Sequence, residues 1–488
     1  MELGTNISTR ILESDELAQR TMRKVRGRLI PFMIAMFCMN FLDRVNISFA
    51  ALQMNDDLHL TPKAYGMAAG ILFVAYTTLE IPSNLVLHRI GARRWLARIM
   101  ITWGFIGAAH AFIWSRDSLY AARLLLGAAE AGFFPGIMLY LVRWFPSRER
   151  AAAITLFMVG NPIAIIVGAP LSTTLLSFGN MLGLAAWRWL FLLEGLPAVL
   201  LGIVALWWLT ERPEDARWLE PEERAWLGES LRNEQALPRK SSASVLATLK
   251  DGPTLALALS KMCVLLAFYG IALWLPQIVR GIGHLSVFAT GFVSAIPYLC
   301  AAVGSILVGR HSDRTGERPK HIAWPAFVGA IGFVLAAFAP SPGLALLGLS
   351  VGATGIWCSN AIFWTMPAAI LSGVSAAAGF ALINSVGNLG GFFGPYLTGW
   401  VKAATGKFSL TLVALGIFLA ISGVIVLLVD RSVGQASAMK AGRESLLRNR
   451  FRVGDLNEQE SSIAVPQVRP KPQTSVTKDT SAINTSLR

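Results

Sequence analysis

The chain has 488 residues, 54% of them hydrophobic and only 15% charged, with a mean hydropathy of +0.53. An ordinary soluble domain carries about 25% charged residues, so composition alone sets a soluble enzyme or binding domain aside. The formal net charge of +14 would suggest nucleic acid in a soluble protein, but the basic residues are gathered in one set of loops between apolar runs, which points to a membrane instead.

Residues 1–28 are polar and mixed in charge, and they read as a cytoplasmic lead-in with no cleavable signal. Twelve apolar runs follow, at 29–52, 64–87, 95–115, 118–142, 151–178, 188–210, 254–279, 288–309, 322–340, 343–367, 376–401 and 408–430. Each is near the roughly 20 residues that cross a bilayer. Backbone groups in lipid must be satisfied within the segment, so the runs are expected to be helices. Two six-helix bundles result, at 29–210 and 253–430, joined by a cytoplasmic loop over 211–252. In that loop Trp218 and Trp226 punctuate acidic residues, a pattern suited to amphipathic helices beneath the bundles. The segment 431–488 is poor in apolar residues and reads as a disordered tail. Arg23, Lys24, Arg89, Arg93, Arg143, Arg310 and Arg314 all fall on one side, whereas the opposite loops are short, or acidic as at Asp56 and Asp57. The positive-inside rule then places both termini in the cytoplasm. The four cysteines lie inside apolar runs with no metal-ligand spacing.

One loop motif is written twice. After the second run the chain reads His88-Arg89-Ile90-Gly91-Ala92-Arg93-Arg94, and after the eighth Ser312-Asp313-Arg314-Thr315-Gly316-Glu317-Arg318. Gly91 and Gly316 are 225 positions apart, and so are Pro170 and Pro395. The halves are therefore repeats, and repeated halves are how secondary transporters alternate access to a midplane site. The fold expected is all-α, with twelve transmembrane helices in two pseudo-symmetric bundles.

Charged residues inside apolar runs are costly, about 2.5–3.5 kcal/mol at the bilayer centre on insertion scales, and so mark function by default. Asp43 and Arg44 stand in the first run; Asn40 shares a helical face with Arg44, and Asn46 with Asp43. Arg123 and Glu130 stand in the fourth, seven residues and nearly two turns apart, with Gly127 expected to leave their common face open. At the 225-residue offset these four charges map to Phe268, Tyr269, Gly348 and Gly355, all neutral. Ion coupling is therefore expected in the first half, and neutral substrate contacts in the second from Trp364, Asn384 and Asn388. Asn161-Pro162 should break the fifth helix, with Asn161 facing the cavity, and the glycine and proline clusters of the fifth and eleventh runs should serve hinging. No phosphate-binding loop occurs, and no catalytic domain fits in the loops, so no enzyme activity and no cofactor are expected.

Phe41 to Asn46, Ile81 to Asn84, Gly91 to Trp95, Arg123 to Pro135, Trp187 to Gly195 and Asn384 to Tyr396 together resemble the anion:cation symporter family of the major facilitator superfamily, and most of all its bacterial tartrate and hydroxyphenylacetate permeases. The resemblance spans residues 25–430. It implies a multi-pass, monomeric protein of the bacterial inner membrane that imports a small organic anion with protons in preference to sodium. Arg44 would meet the carboxylate, Asp43 and Glu130 would carry protons beside Arg123, and His88, Arg89, Gly91, Asp313, Arg314 and Gly316 would form cytoplasmic latches. The chain departs from the family in having His88 where an acidic residue is usual, and no basic residue over Leu266–Trp274, where glutamate carriers have one. An exporter or antiporter of anions or drugs is the second reading, and a membrane ligand sensor the third.

Overall fold

The computed structural model describes residues 2–236, 250–371, 373–433 and 435. The expected tail, beyond its first residues, and the stretch 237–249 of the expected cytoplasmic loop lie outside the described residues. The first half contains α1 (Glu2–Asp57), α2 (Pro62–Ile90), α3 (Ala92–Ala109), α4 (Arg116–Glu130), α5 (Phe133–Trp144), α6 (Ser147–Met158), α7 (Gly160–Ser177) and α8 (Ala186–Trp208). Next comes α9 (Pro221–Ala236). The second half holds α10 (Gly252–Ala272), α11 (Leu275–Gly283), α12 (Val287–Thr315), α13 (Pro319–Ala337), α14 (Pro342–Phe363), α15 (Thr365–Ile370), α16 (Gly373–Thr405) and α17 (Ser409–Val433). Among the described residues there is no strand.

Ten helical stretches are long and apolar enough to cross a membrane. The short helices resolve into expected spans: α4 with α5, α6 with α7, and α14 with α15 each make one crossing. The remaining two of the twelve are α3, whose apolar length is diluted by Arg93, Arg94 and Arg98, and the 33-residue α16. The break in the fifth crossing comes at Val159, just before Asn161-Pro162, so Pro162 sits in the first turn of α7, where its missing N–H costs nothing. The lead-in is not a separate strand of coil; α1 is continuous for 56 residues.

The halves are joined closely at the end that holds the α1–α2 turn. Tyr65 donates its hydroxyl to the carbonyl of Leu273 at 2.6 Å and meets Trp274 edge-on. Arg280 donates to the Leu52 carbonyl at 2.9 Å, and Asn55 to Gln277 at 3.5 Å. Small residues make this closeness possible: a Cβ on Gly66 would stand 3.1 Å from the Cα of Gly399. At the opposite end, among the described residues, no hydrogen bond or ion pair joins the loop around Gly91 to the loop around Gly316. The described hydrogen bonds and ion pairs between the halves thus gather toward the α1–α2 end, and none joins the two motif loops.

Candidate functional site

Three polar clusters lie inside the membrane-spanning region. The first begins at Arg44, whose Nε donates to Glu130 Oε2 at 2.7 Å. Asn40, one turn earlier on α1, donates to the same oxygen at 3.1 Å, as expected of the shared helical face. The guanidinium lies 4.6 Å over the ring of Tyr76. Glu130 is fully buried, and both its Oε1 and the Nη2 of Arg44 lack a hydrogen-bond partner. A buried ion pair with one open position on each member is not a settled structural pair, because an unmet buried polar atom costs about 1–3 kcal/mol.

One turn beyond Tyr76 stands Glu80, 5% exposed. It accepts from Asn384 at 2.8 Å and from Asn388 at 3.4 Å. The two asparagines do share a face of α16, yet what they hold is a carboxylate of the other half. Glu80 was missed in the sequence, although it directly precedes the Ile81 to Asn84 motif and satisfies the rule that an ionisable residue in an apolar run marks a site.

The second cluster is buried within the first half. Asp43 accepts from Asn46 at 3.4 Å and presses against Gly107, and its Oδ2 has no partner. Arg123 is fully buried; its Nε donates to the Ala68 carbonyl at 3.3 Å, while both terminal nitrogens are unpartnered. Among the described residues no hydrogen bond or ion pair joins Asp43 to Arg123. Glu194, also missed, is buried in the same half and accepts from Ser172 at 2.6 Å, with its Oε2 unpartnered. The expectation that Gly127 opens a face of α4 is corrected: α2 packs there, and a Cβ would collide with the Leu72 carbonyl oxygen.

The third cluster revises the view of the second half as neutral. Lys261 on α10 is 3% exposed and donates to Asn360 at 2.6 Å. Its ammonium lies 4.7 Å over Trp364 and 4.9 Å over Phe363. Trp364 therefore belongs with Lys261, not with Arg44. Leu266–Trp274 indeed has no basic residue, but the same helix supplies one five positions earlier. Asn161 is half-buried with its Oδ1 unpartnered, and no hydrogen bond among the described residues joins it to the other clusters.

The loop motifs differ in how they are held. Gly91 has φ of 97°, a value that favours glycine, and lets α2 turn into α3. The first two amides of α3, on Ala92 and Arg93, donate to the carboxylate of Glu211 at 2.7 and 2.9 Å, and Arg143 donates to it as well. Glu211, beyond the end of α8, is thus the acid of the first motif, and His88 and Arg89 are exposed with no ion pair among the described residues. In the second copy Asp313 accepts from Arg318 at 2.6 Å inside its own loop, with Gly316 at φ of 69°, while Arg314 is exposed.

The family model of the Major Facilitator Superfamily matches residues 32–395 and 257–456. A protein of Agrobacterium vitis named "Putative tartrate transporter" is 46% identical over 87% of this chain and 94% of its own length. The "Quinolone resistance transporter" of Acinetobacter baumannii is 40% identical over 81% of this chain and 92% of its own. Among solved structures, a bacterial homologue of the human lysosomal transporter Spinster superposes with a TM-score of 0.68 at 19% identity, covering 83% of this chain and 97% of that one.

Proposed function

This chain belongs to the Major Facilitator Superfamily and is a membrane transporter, not an enzyme; we propose that its cargo is a small organic carboxylate, carried inward together with protons. The observation that carries the reading is the Arg44–Glu130 pair, 2.7 Å apart and incompletely satisfied. Arg44 offers a substrate carboxylate a guanidinium, the side chain whose fork matches its two oxygens. Arg44 is held by Glu130 until Glu130 takes a proton, so substrate and proton enter together. Asp43 offers a second place for a proton. Alternating access then follows from parting the halves at the end joined by Tyr65 and bringing them together at the end with the loop motifs. The positive-inside pattern supports a cytoplasmic assignment for the motif end, with both termini on that side of the plasma membrane. The name of the Agrobacterium relative favours a hydroxy acid such as tartrate.

The name of the Acinetobacter relative favours a second reading, export of an organic compound against a proton gradient. Uptake of radiolabelled tartrate into proteoliposomes under imposed pH gradients separates the two. Accumulation driven by an inward proton gradient is expected. Accumulation that requires an outward gradient would replace symport with antiport.

A further inference from the structure

Among the described residues, Lys261 is a buried cation whose partners are all neutral: the Asn360 amide oxygen and the faces of Phe363 and Trp364. Desolvated charge in a membrane interior is expensive and is kept where a counter-charge comes and goes. Arg44 has Glu130, and Lys261 has no such carboxylate to release.

Its placement says what it faces. Lys261 and Phe268 are seven residues apart, close to two turns, so they share a stripe of α10. Phe268 meets Phe41 of α1 at 6.1 Å, one turn from Arg44. The stripe that carries Lys261 thus looks toward the helix that carries Arg44. On the other side, the stem of Lys261 lies where a Cβ on Gly387 would be, 2.6 Å away, between the two asparagines that hold Glu80. The rise along α10 from the Phe268–Phe41 contact to Lys261 is roughly 10 Å, an axial separation on the scale of two long cationic side chains and a four-carbon dianion.

We propose that Lys261 is the binding residue for a second acidic group of the substrate, so that a dicarboxylate is held between Arg44 of the first half and Lys261 of the second, with Trp364 as a wall. This rests on the organic-carboxylate reading and narrows it. A dianion that bridges the halves also ties loading of the site to their approach.

The test compares tartrate with threonate, which keeps both hydroxyls and replaces one carboxylate by a hydroxymethyl group. Binding of each to the full-length protein in nanodiscs is measured by calorimetry for the wild type, Lys261→Met, Lys261→Arg and Arg44→Ala. The wild type is expected to prefer tartrate at least tenfold. Lys261→Met should erase that preference by weakening tartrate while leaving threonate within about twofold, which also shows that the variant is folded. Lys261→Arg should keep most of it. If Lys261→Met leaves tartrate affinity intact, or weakens both acids equally, the second subsite is wrong; the carboxylate reading survives that result provided both acids bind the wild type and fail with Arg44→Ala. A wild type that binds monocarboxylates only overturns the subsite alone, and one that binds no carboxylate overturns both.

Discussion

Glu80 of the first half accepts a 2.8 Å hydrogen bond from Asn384 of the second, the innermost polar link between the halves among the described residues. Asn388 adds a longer contact to the same carboxylate. Hydrogen bonds to a charged group contribute about 1.5–3 kcal/mol each, enough to bias two conformations of similar energy. Glu80→Ala should therefore reduce transport rate several-fold and shift the resting population toward opening at the Tyr65 end. Spin-label distances across that end, at positions 55 and 277, measure the shift; an unchanged distance distribution would remove Glu80 from the conformational balance.

Arg44 and Glu130 should separate binding from coupling. The amide of Glu130→Gln can still accept from Asn40 and Arg44, so the fold is kept while the charge is lost. Counterflow exchange should persist and uphill accumulation should vanish. Arg44→Lys should weaken substrate at least tenfold, about 1.4 kcal/mol, because an ammonium cannot present two parallel donors to a carboxylate. Uphill transport by Glu130→Gln would leave Asp43 as the carrier of the proton.

Glu211 caps α3 and holds Arg143. Removing a cap costs about 0.5–2 kcal/mol, so Glu211→Ala should lower the melting temperature of the purified protein. Arg143→Ala, which breaks a half-exposed ion pair worth under about 1 kcal/mol, should lower it less. The reverse ranking would mean that the ion pair, and not the helix cap, is what the loop needs.

In the second motif Asp313 is 71% exposed and, among the described residues, bonds within its own loop. Asp313→Asn should slow transport and leave substrate affinity unchanged, and His88→Asn should do less, since His88 has no ion pair to lose among the described residues. Transport rate and equilibrium affinity in proteoliposomes check both; a selective loss of affinity would place Asp313 in the binding path.

Beneath the bundle, α9 docks on the start of α1 through Glu223, which accepts from Arg20 and Lys24 and from the amide of Glu220. Burial by itself would raise the Glu223 pKa, but the hydrogen bonds from Lys24 and Arg20 outweigh it and hold the group at about 2. A carboxylate depressed in the folded state stabilises docking above its ordinary value near 4.5 and loses that contribution as pH falls toward 2. The protection factors of the α9 amides, corrected for intrinsic exchange at each pH, should thus be constant from pH 7 to about 5 and fall below about 4. Glu223→Gln should weaken docking at neutral pH and flatten this dependence.

Much of this was legible in the sequence, for identifiable reasons. Apolar run length gives the crossings, the 225-residue repeat gives two halves, and helical periodicity correctly put Asn40 beside Arg44, Asn46 beside Asp43 and Asn384 beside Asn388. What periodicity cannot give is the partner across a helix–helix contact. Asn384 and Asn388 look like free amides until α2 is packed against them and Glu80 fills them. Gly127 looks like an opening until Leu72 is seen to close it. Lys261 and Glu80 needed no structure to be noticed: each is a lone charge in an apolar run.

The positions that match Arg123 and Glu130 in the second half are Gly348 and Gly355, where α13 and α14 run backbone to backbone. A Cβ at Gly348 would stand 2.6 Å from the Ala336 nitrogen, and one at Gly355 would strike the Pro325 carbonyl oxygen. Descent from a common ancestor therefore no longer makes the halves interchangeable. A single codon change cannot return a carboxylate to position 355 without first prying two helices apart, so the divergence behaves as a ratchet. Any ancestor with coupling charges in both halves is out of reach by small steps, and a carrier with new stoichiometry would have to evolve from positions such as 261, where the packing already admits a charge.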